Sequence, residues 1–198
     1  YSPSAVPGGT AKSAEPVARA RSLLRRLRVS PEPEDGGADL TPVRAAFLVR
    51  DNLRQRRAIE RSYIDALSRA RERIDLVSPY FYPGRLFRRV LYAAARRGVR
   101  VRLLLQGKLD YRFAGLAASV LYDELLSRGV CIYEYTPAFL HAKVAVVDDD
   151  WATVGSSNID PLSLLLNLEA NVVVRDAGFA QQLRACIDQA AAQSLEIK

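Results

Sequence analysis

The chain has 198 residues, 49% hydrophobic and 26% charged, a composition ordinary for a soluble globular protein and a length that buries a core without a disulfide or metal staple. Lys and Arg number 29 against 22 Asp and Glu, net +7, and only four of the 29 are Lys, so the positive surface is arginine. No apolar run reaches the roughly 18 residues of a membrane-spanning helix, and the single histidine, His141, excludes a multi-histidine zinc site.

Residues 1–16 are rich in Pro, Gly, Ser and Ala and lack a core pattern. Residues 17–28 carry Arg19, Arg21, Arg25, Arg26 and Arg28 among Val17, Leu23, Leu24 and Leu27. They read either as a short basic amphipathic helix drawn to anionic lipid or as a solvated linker. Residues 30–42 break any helix, so residues 1–42 are expected to be a flexible basic segment and residues 43–198 the folded domain.

Helix and strand patterns then alternate. Ala45–Arg50 reads as a strand. Asp51 or Asn52 is placed to cap a helix to about Arg73, with Ile59, Tyr63, Ala66, Leu67 and Ala70 on one face. A strand at Ile74–Ser78 leads to the loop Pro79-Tyr-Phe-Tyr-Pro-Gly84, and Leu86–Arg97 is a helix stopped by Gly98. A strand at Val99–Leu105, a helix at Ala114–Arg128 closed by Gly129 and a strand at Val130–Tyr135 follow. Ala142–Val147 and Trp151–Val154 form a hairpin around Asp148, Asp149 and Asp150. Ala170–Val174 is a further strand and Phe179–Gln193 a closing helix. Such alternation predicts an α/β fold, a layered sandwich around a central mixed sheet. Cys131 and Cys186 lie in apolar patterns without metal-ligand spacing and are expected as buried, reduced thiols.

The informative stretch is Leu140-His-Ala-Lys-Val-Ala-Val-Val-Asp148, followed by Gly155-Ser-Ser-Asn158 and Asn167-Leu-Glu169. Residues two apart on a strand face the same way, so His141 and Lys143 project together. An imidazole beside an ammonium makes a poor structural pair but suits a phosphate: the lysine neutralises charge while the histidine attacks or protonates. Gly155 allows close backbone approach, and Ser156 and Asn158 add neutral donors for phosphoryl oxygens. Glu169, alone in an apolar run, needs a specific partner, and a hydrogen bond to His141 would fix the imidazole tautomer.

These residues spell H-x-K-x4-D-x6-G-S-x-N, and here the chain resembles the phospholipase D superfamily from about Ala46 to Ala190. Val49-Arg-Asp-Asn52, Tyr80-Phe-Tyr-Pro-Gly84, Arg96-Arg-Gly-Val-Arg100, Leu105-Gln-Gly107, Glu134-Tyr135, Trp151–Asn158 and Asp160-Pro-Leu-Ser-Leu164 turn the likeness toward bacterial cardiolipin synthases, the B-type enzymes in particular. The resemblance implies an α/β/α sandwich and transphosphatidylation of phosphatidylglycerol to cardiolipin through a phosphohistidine. His141 is then the nucleophile or its acid/base partner. Lys143, Ser156 and Asn158 bind phosphate, Glu169 orients His141, and Asp148 supports the site rather than touching phosphate. The resemblance implies no metal and no organic cofactor, because Lys143 and neutral donors handle the phosphate charge.

The family's site needs two such motifs, and this sequence carries one. The resemblance therefore implies the C-terminal half of a longer enzyme, in keeping with a chain that opens on Tyr1 and contains no Met, or a homodimer like the short single-motif nucleases of the superfamily. An inactive lipid- or phosphate-binding half-domain is the non-enzymatic reading. Partners implied are anionic phospholipid, a membrane surface and a second motif, with peripheral placement on the cytoplasmic side of the bacterial inner membrane. Tyr80, Phe81 and Tyr82 read either as the border of a headgroup groove or as core aromatics. Arg85, Arg88, Arg89, Arg96, Arg97, Arg100 and Arg102 form a basic stretch suited to anionic headgroups or to a solvated face. A nucleic-acid partner is not expected, since no recognised motif or stacking platform accompanies these arginines.

Overall fold

In the computed structural model, residues 42–51, 55–107, 121–160, 163 and 167–198 are described. The expectations for residues 1–41 and for the helix start at 114–120 lie outside them. Strand β1 (Arg44–Arg50) is followed by α1 (Ala58–Arg69), β2 (Arg73–Ser78), α2 (Arg85–Arg96), β3 (Arg100–Gln106) and β4 (Val130–Tyr135). Then come β5 (Val144–Val147), β6 (Trp151–Gly155), β7 (Glu169–Arg175), α3 (Ala177–Ala192) and β8 (Ser194–Ile197), and residues 121–126 are helical. The strands form one mixed sheet in the order β1-β7-β6-β5-β2-β3-β4-β8, with β2, β3 and β4 parallel and the other pairs antiparallel.

The strand period of two sorts the core into two layers. Ile74, Leu76, Val101, Leu103, Leu105, Ala145, Val147 and Trp151 point to one face, where they pack with Ile59, Tyr63 and Leu67 of α1, Phe87 and Leu91 of α2, and Leu125. Their neighbours Val77, Leu104, Val146 and Ala152 point to the other face, against Ala180 and Ile187 of α3. The expected α/β/α sandwich is therefore present. Buried polar residues hold the second layer as well: Asp75, fully buried, takes Arg73 at 2.6 Å and Arg102 at 2.8 Å, and both arginines also reach Asp188 of α3. Burial disfavours the Asp188 carboxylate, yet hydrogen bonds from Arg102 and Arg73 outweigh this and hold its pKa below the usual range.

Several expectations are corrected. Helix α1 begins at Ala58 rather than beside Asp51, whose carboxylate accepts from the Gln55 amide at 2.8 Å; Asn52 lies outside the described residues. It ends at Arg69, four residues early, because the Asp148 carboxylate takes the amides of Arg71, Glu72 and Arg73 at 2.9–3.2 Å. Strand β8 was not expected; it pairs antiparallel with β4 and covers that edge of the sheet. Cys186 is exposed on α3 and Cys131 only half-buried, so neither is a core thiol. Helix α2 does end where a residue without Cβ is needed: Gly98 has φ +88°, a left-handed value that costs glycine little.

Candidate active site at the carboxyl edge of the sheet

The parallel strands β2 and β3 end at Ser78 and Gln106, and β5, running opposite to β2, starts beside them. His141 and Lys143 lie just before β5, so they stand at the carboxyl edge, where ligands of such sheets bind. The loop after β6, the start of β7 and the end of β1 meet at the same edge. Residues far apart in sequence thus converge by register.

His141 is exposed, and among the described residues its imidazole has no hydrogen-bond partner. Its backbone is held from both sides. The Gln106 side-chain carbonyl accepts from the Leu140 amide, and the Lys143 ammonium donates to the His141 carbonyl at 2.8 Å. Lys143 itself is only 6% exposed. Burial lowers its pKa, and the negative charge of Glu169 opposes that shift without cancelling it.

Glu169 begins β7, directly opposite the fully buried Arg50 of β1. Its carboxylate accepts from the Ser156 hydroxyl, which in turn accepts from the Ala170 amide at 3.1 Å. Glu169 is thus engaged by Ser156, with Lys143 as its electrostatic neighbour, and the expected Glu169–His141 hydrogen bond does not occur among the described residues.

Gly155 has a different task from the one expected. Its N–H donates to the Lys143 carbonyl at 3.1 Å, and across the ladder it faces Asn171. A Cβ there would lie 2.2 Å from Asn171 Oδ1 and 2.5 Å from the Ala170 carbonyl, so the residue must be glycine for the Asn171 amide to lie across it. That buried amide accepts from the Ser157 amide at 3.4 Å and donates to Thr153 at 3.2 Å. Burial pushes the Tyr63 phenol well above its usual pKa, against a hydrogen bond with Asn171 that lowers it. The Asn158 amide has one buried polar atom with no hydrogen-bond partner among the described residues. With the amide turned over, that atom is the NH2, the donor a phosphoryl oxygen requires.

The structure brings together His141, Lys143, Ser156, Asn158 and Glu169 and separates Asp148 from them. Asp148 sits at the other end of β5, on the order of 20 Å away along the chain. Sequence reasoning gave no role to Gln106, Asn171 or Ser78, whose hydroxyl donates to the Tyr80 carbonyl at 2.6 Å and accepts from the Ile159 amide at 3.4 Å. For Ser78 and Gln106 the available signal was a polar residue closing a strand after an apolar run. Of the aromatic trio, Phe81 enters the core edge-on to Phe87 at 6.3 Å, while Tyr80 and Tyr82 line a small depression with Gln106 and Tyr122.

Comparison with known proteins finds clear relatives. Residues 63–190 match the family model described as the cardiolipin synthase, phospholipase D-like domain. The chain is 50% identical over 135 residues to cardiolipin synthase B of Escherichia coli, covering 68% of this chain and 33% of that protein. To cardiolipin synthase A of Pseudomonas aeruginosa it is 41% identical over 134 residues, 68% and 27% of the two lengths. Among solved structures, the phospholipase D family member Nuc from Salmonella typhimurium superposes with a TM-score of 0.67 at 18% identity, over 79% of this chain and 99% of Nuc. Phosphatidylserine synthase from Haemophilus influenzae gives 0.60 at 15% identity, over 78% and 40%. The chain spans about a third of the length of the curated relatives it matches.

Proposed function

Because the chain belongs to the phospholipase D-like domain family of cardiolipin synthases, we propose that it supplies one half of a phosphatidyl-transfer site, with His141 as its reacting group. The observation that carries this reading is the pairing of an exposed imidazole with the buried ammonium of Lys143, two residues on, beside a carboxylate already engaged by Ser156. A cation held this way on the His141 carbonyl neutralises a phosphate while leaving the imidazole itself unengaged among the described residues.

In this reading a ring nitrogen of His141 attacks the phosphorus of phosphatidylglycerol. The P–O bond to the headgroup breaks, and glycerol leaves with a proton from the histidine of a second motif. The hydroxyl of another phosphatidylglycerol then attacks the phosphohistidine and gives its proton back to that second histidine. The P–N bond breaks and cardiolipin is released. Lys143, with the Asn158 amide, holds the non-bridging oxygens, and Glu169 keeps Lys143 charged. The second motif comes from a longer polypeptide or from a second copy of this chain. Exposed Phe47, Val154 and Val172, aligned across β1, β7 and β6, provide apolar surface for such a partner to cover. The domain acts peripherally at the cytoplasmic face of the bacterial inner membrane; among the described residues no helix is long and apolar enough to cross one.

The test uses phosphatidylglycerol labelled in its phosphate, in vesicles, with the domain joined to an upstream H-x-K-x4-D domain. Label should reach cardiolipin in the unchanged protein and be lost in His141→Gln and Lys143→Gln. Cardiolipin formation that survives His141→Gln overturns the assignment. A second reading, a homodimeric phosphodiesterase or nuclease, is supported by the superposition over nearly all of Nuc, a protein of single-domain length. DNA cleavage that follows the dimer on gel filtration and disappears in His141→Gln would favour it.

A further inference from the structure

The arginines of residues 85–102 do not act as one patch. Arg97 donates to the carbonyls of Leu67, Ser68 and Ala70 at 3.1–3.4 Å and closes the end of α1. Arg102 is consumed by Asp75 and Asp188. Arg85, Arg88, Arg89 and Arg96 instead line one side of a cleft of about 320 Å³ beside α2, and Arg128 joins them from the turn after the helical residues 121–126. Among the described residues Glu124 is the one acid lining it, against five arginines, so positive charge dominates its walls. Converging like charges raise each other's energy, and a bound anion relieves it.

Part of the cleft is held in place. Arg88 is fixed by Glu124 at 2.6 Å, and its Nε is buried without a hydrogen-bond partner among the described residues. The Arg128 guanidinium lies 5.4 Å from the centre of the Tyr92 ring, within cation–π range. None of these residues belongs to the His141 site.

We propose that this cleft binds the phosphate headgroup of an anionic phospholipid and anchors the domain to the membrane surface through a site separate from His141. Its chemistry separates this ligand from a nucleic acid. Among the described residues Tyr92 is the sole aromatic lining the cleft; it is 8% exposed and covered by Arg128, so it offers no open ring for a base to stack on. Leu86, next to Arg85 in sequence but outside the cleft lining, is 37% exposed. What remains is a cluster of arginines whose charge complements the phosphate of an anionic headgroup at a membrane surface. The inference does not depend on His141 reacting at all.

Binding of the full 198-residue chain to phosphatidylglycerol–phosphatidylcholine vesicles is measured by co-sedimentation. Separate arms use pure phosphatidylcholine vesicles, inorganic phosphate and single-stranded DNA. The cleft variant R85Q/R89Q/R128Q is compared with R44Q/R61Q/R100Q, which removes the same number of exposed arginines elsewhere. The expected result is a loss of affinity for the anionic vesicles at least about tenfold greater in the cleft variant than in the control variant. Neither protein should differ on neutral vesicles. Equal losses in the two variants overturn the proposal, since binding is then diffuse charge. Loss confined to DNA or to inorganic phosphate, with vesicle binding kept, overturns it in favour of a nucleic-acid or free-phosphate site.

Discussion

Lys143 shows how a single residue sets the working conditions of the proposed site. It must be protonated to hold phosphate; burial lowers its pKa, and Glu169 is the charge that raises it. The alkaline limb of activity should therefore lie below an ordinary lysine's range. Glu169→Gln removes the raising influence and should move that limb to still lower pH in a kcat/KM profile. A limb that stays put or moves up would contradict the assignment. For stability the sign is opposite. Between its lowered folded pKa and its unfolded value the unfolded chain binds the extra proton, so Lys143 makes the fold more stable as pH rises through that interval. Gly155 is constrained by space rather than charge. Gly155→Ala drives a Cβ into Asn171 and the Ala170 carbonyl and should cost about 1–3 kcal/mol or more, read as a fall in Tm.

At the scale of elements, two carboxylates tie layers together. Asp148 ends α1, accepts from three amides of the α1–β2 turn and adopts φ +48°, a conformation Asp and Asn tolerate better than most side chains. Asp148→Ala should lower stability by about 1–3 kcal/mol in thermal melts. Activity per folded molecule should be unchanged, because the residue is remote from His141; a large loss of kcat at full folding would place it in the chemistry instead. Asp75 is the acid on which β2, β3 and α3 converge, facing Arg73, Arg102 and Arg184. Asp75→Asn leaves Arg73 and Arg102 with only the half-exposed Asp188 as counter-charge and should cost about 3 kcal/mol in denaturant unfolding.

At the scale of the whole molecule, the legible part of the sequence was whatever a local period or spacing encodes. His141 and Lys143 share a short extended stretch, and Ser156 and Asn158 share one loop, so their spacing was sufficient to group them. Alternation of helix and strand patterns along the chain was likewise enough for the sandwich. Gln106, Asn171 and Arg50 were silent because each acts through a strand paired from elsewhere in the chain, and register is not written in local pattern. The seven arginines of residues 85–102 looked alike in sequence; only the fold sends Arg97 to helix carbonyls, Arg102 to a buried acid and four others to a cleft. Strand β8 was missed because Ser194-Leu-Glu-Ile is too short to carry a pattern and owes its conformation to the β4 edge.

The central claim is that this domain is one half of a two-histidine site. Cardiolipin formed from phosphatidylglycerol vesicles, measured for the 198-residue chain alone and for the same chain joined to an upstream H-x-K-x4-D domain, tests it most directly. The joined protein should form cardiolipin and the chain alone, as a monomer, should not. Cardiolipin made by the monomeric chain would contradict the half-site account.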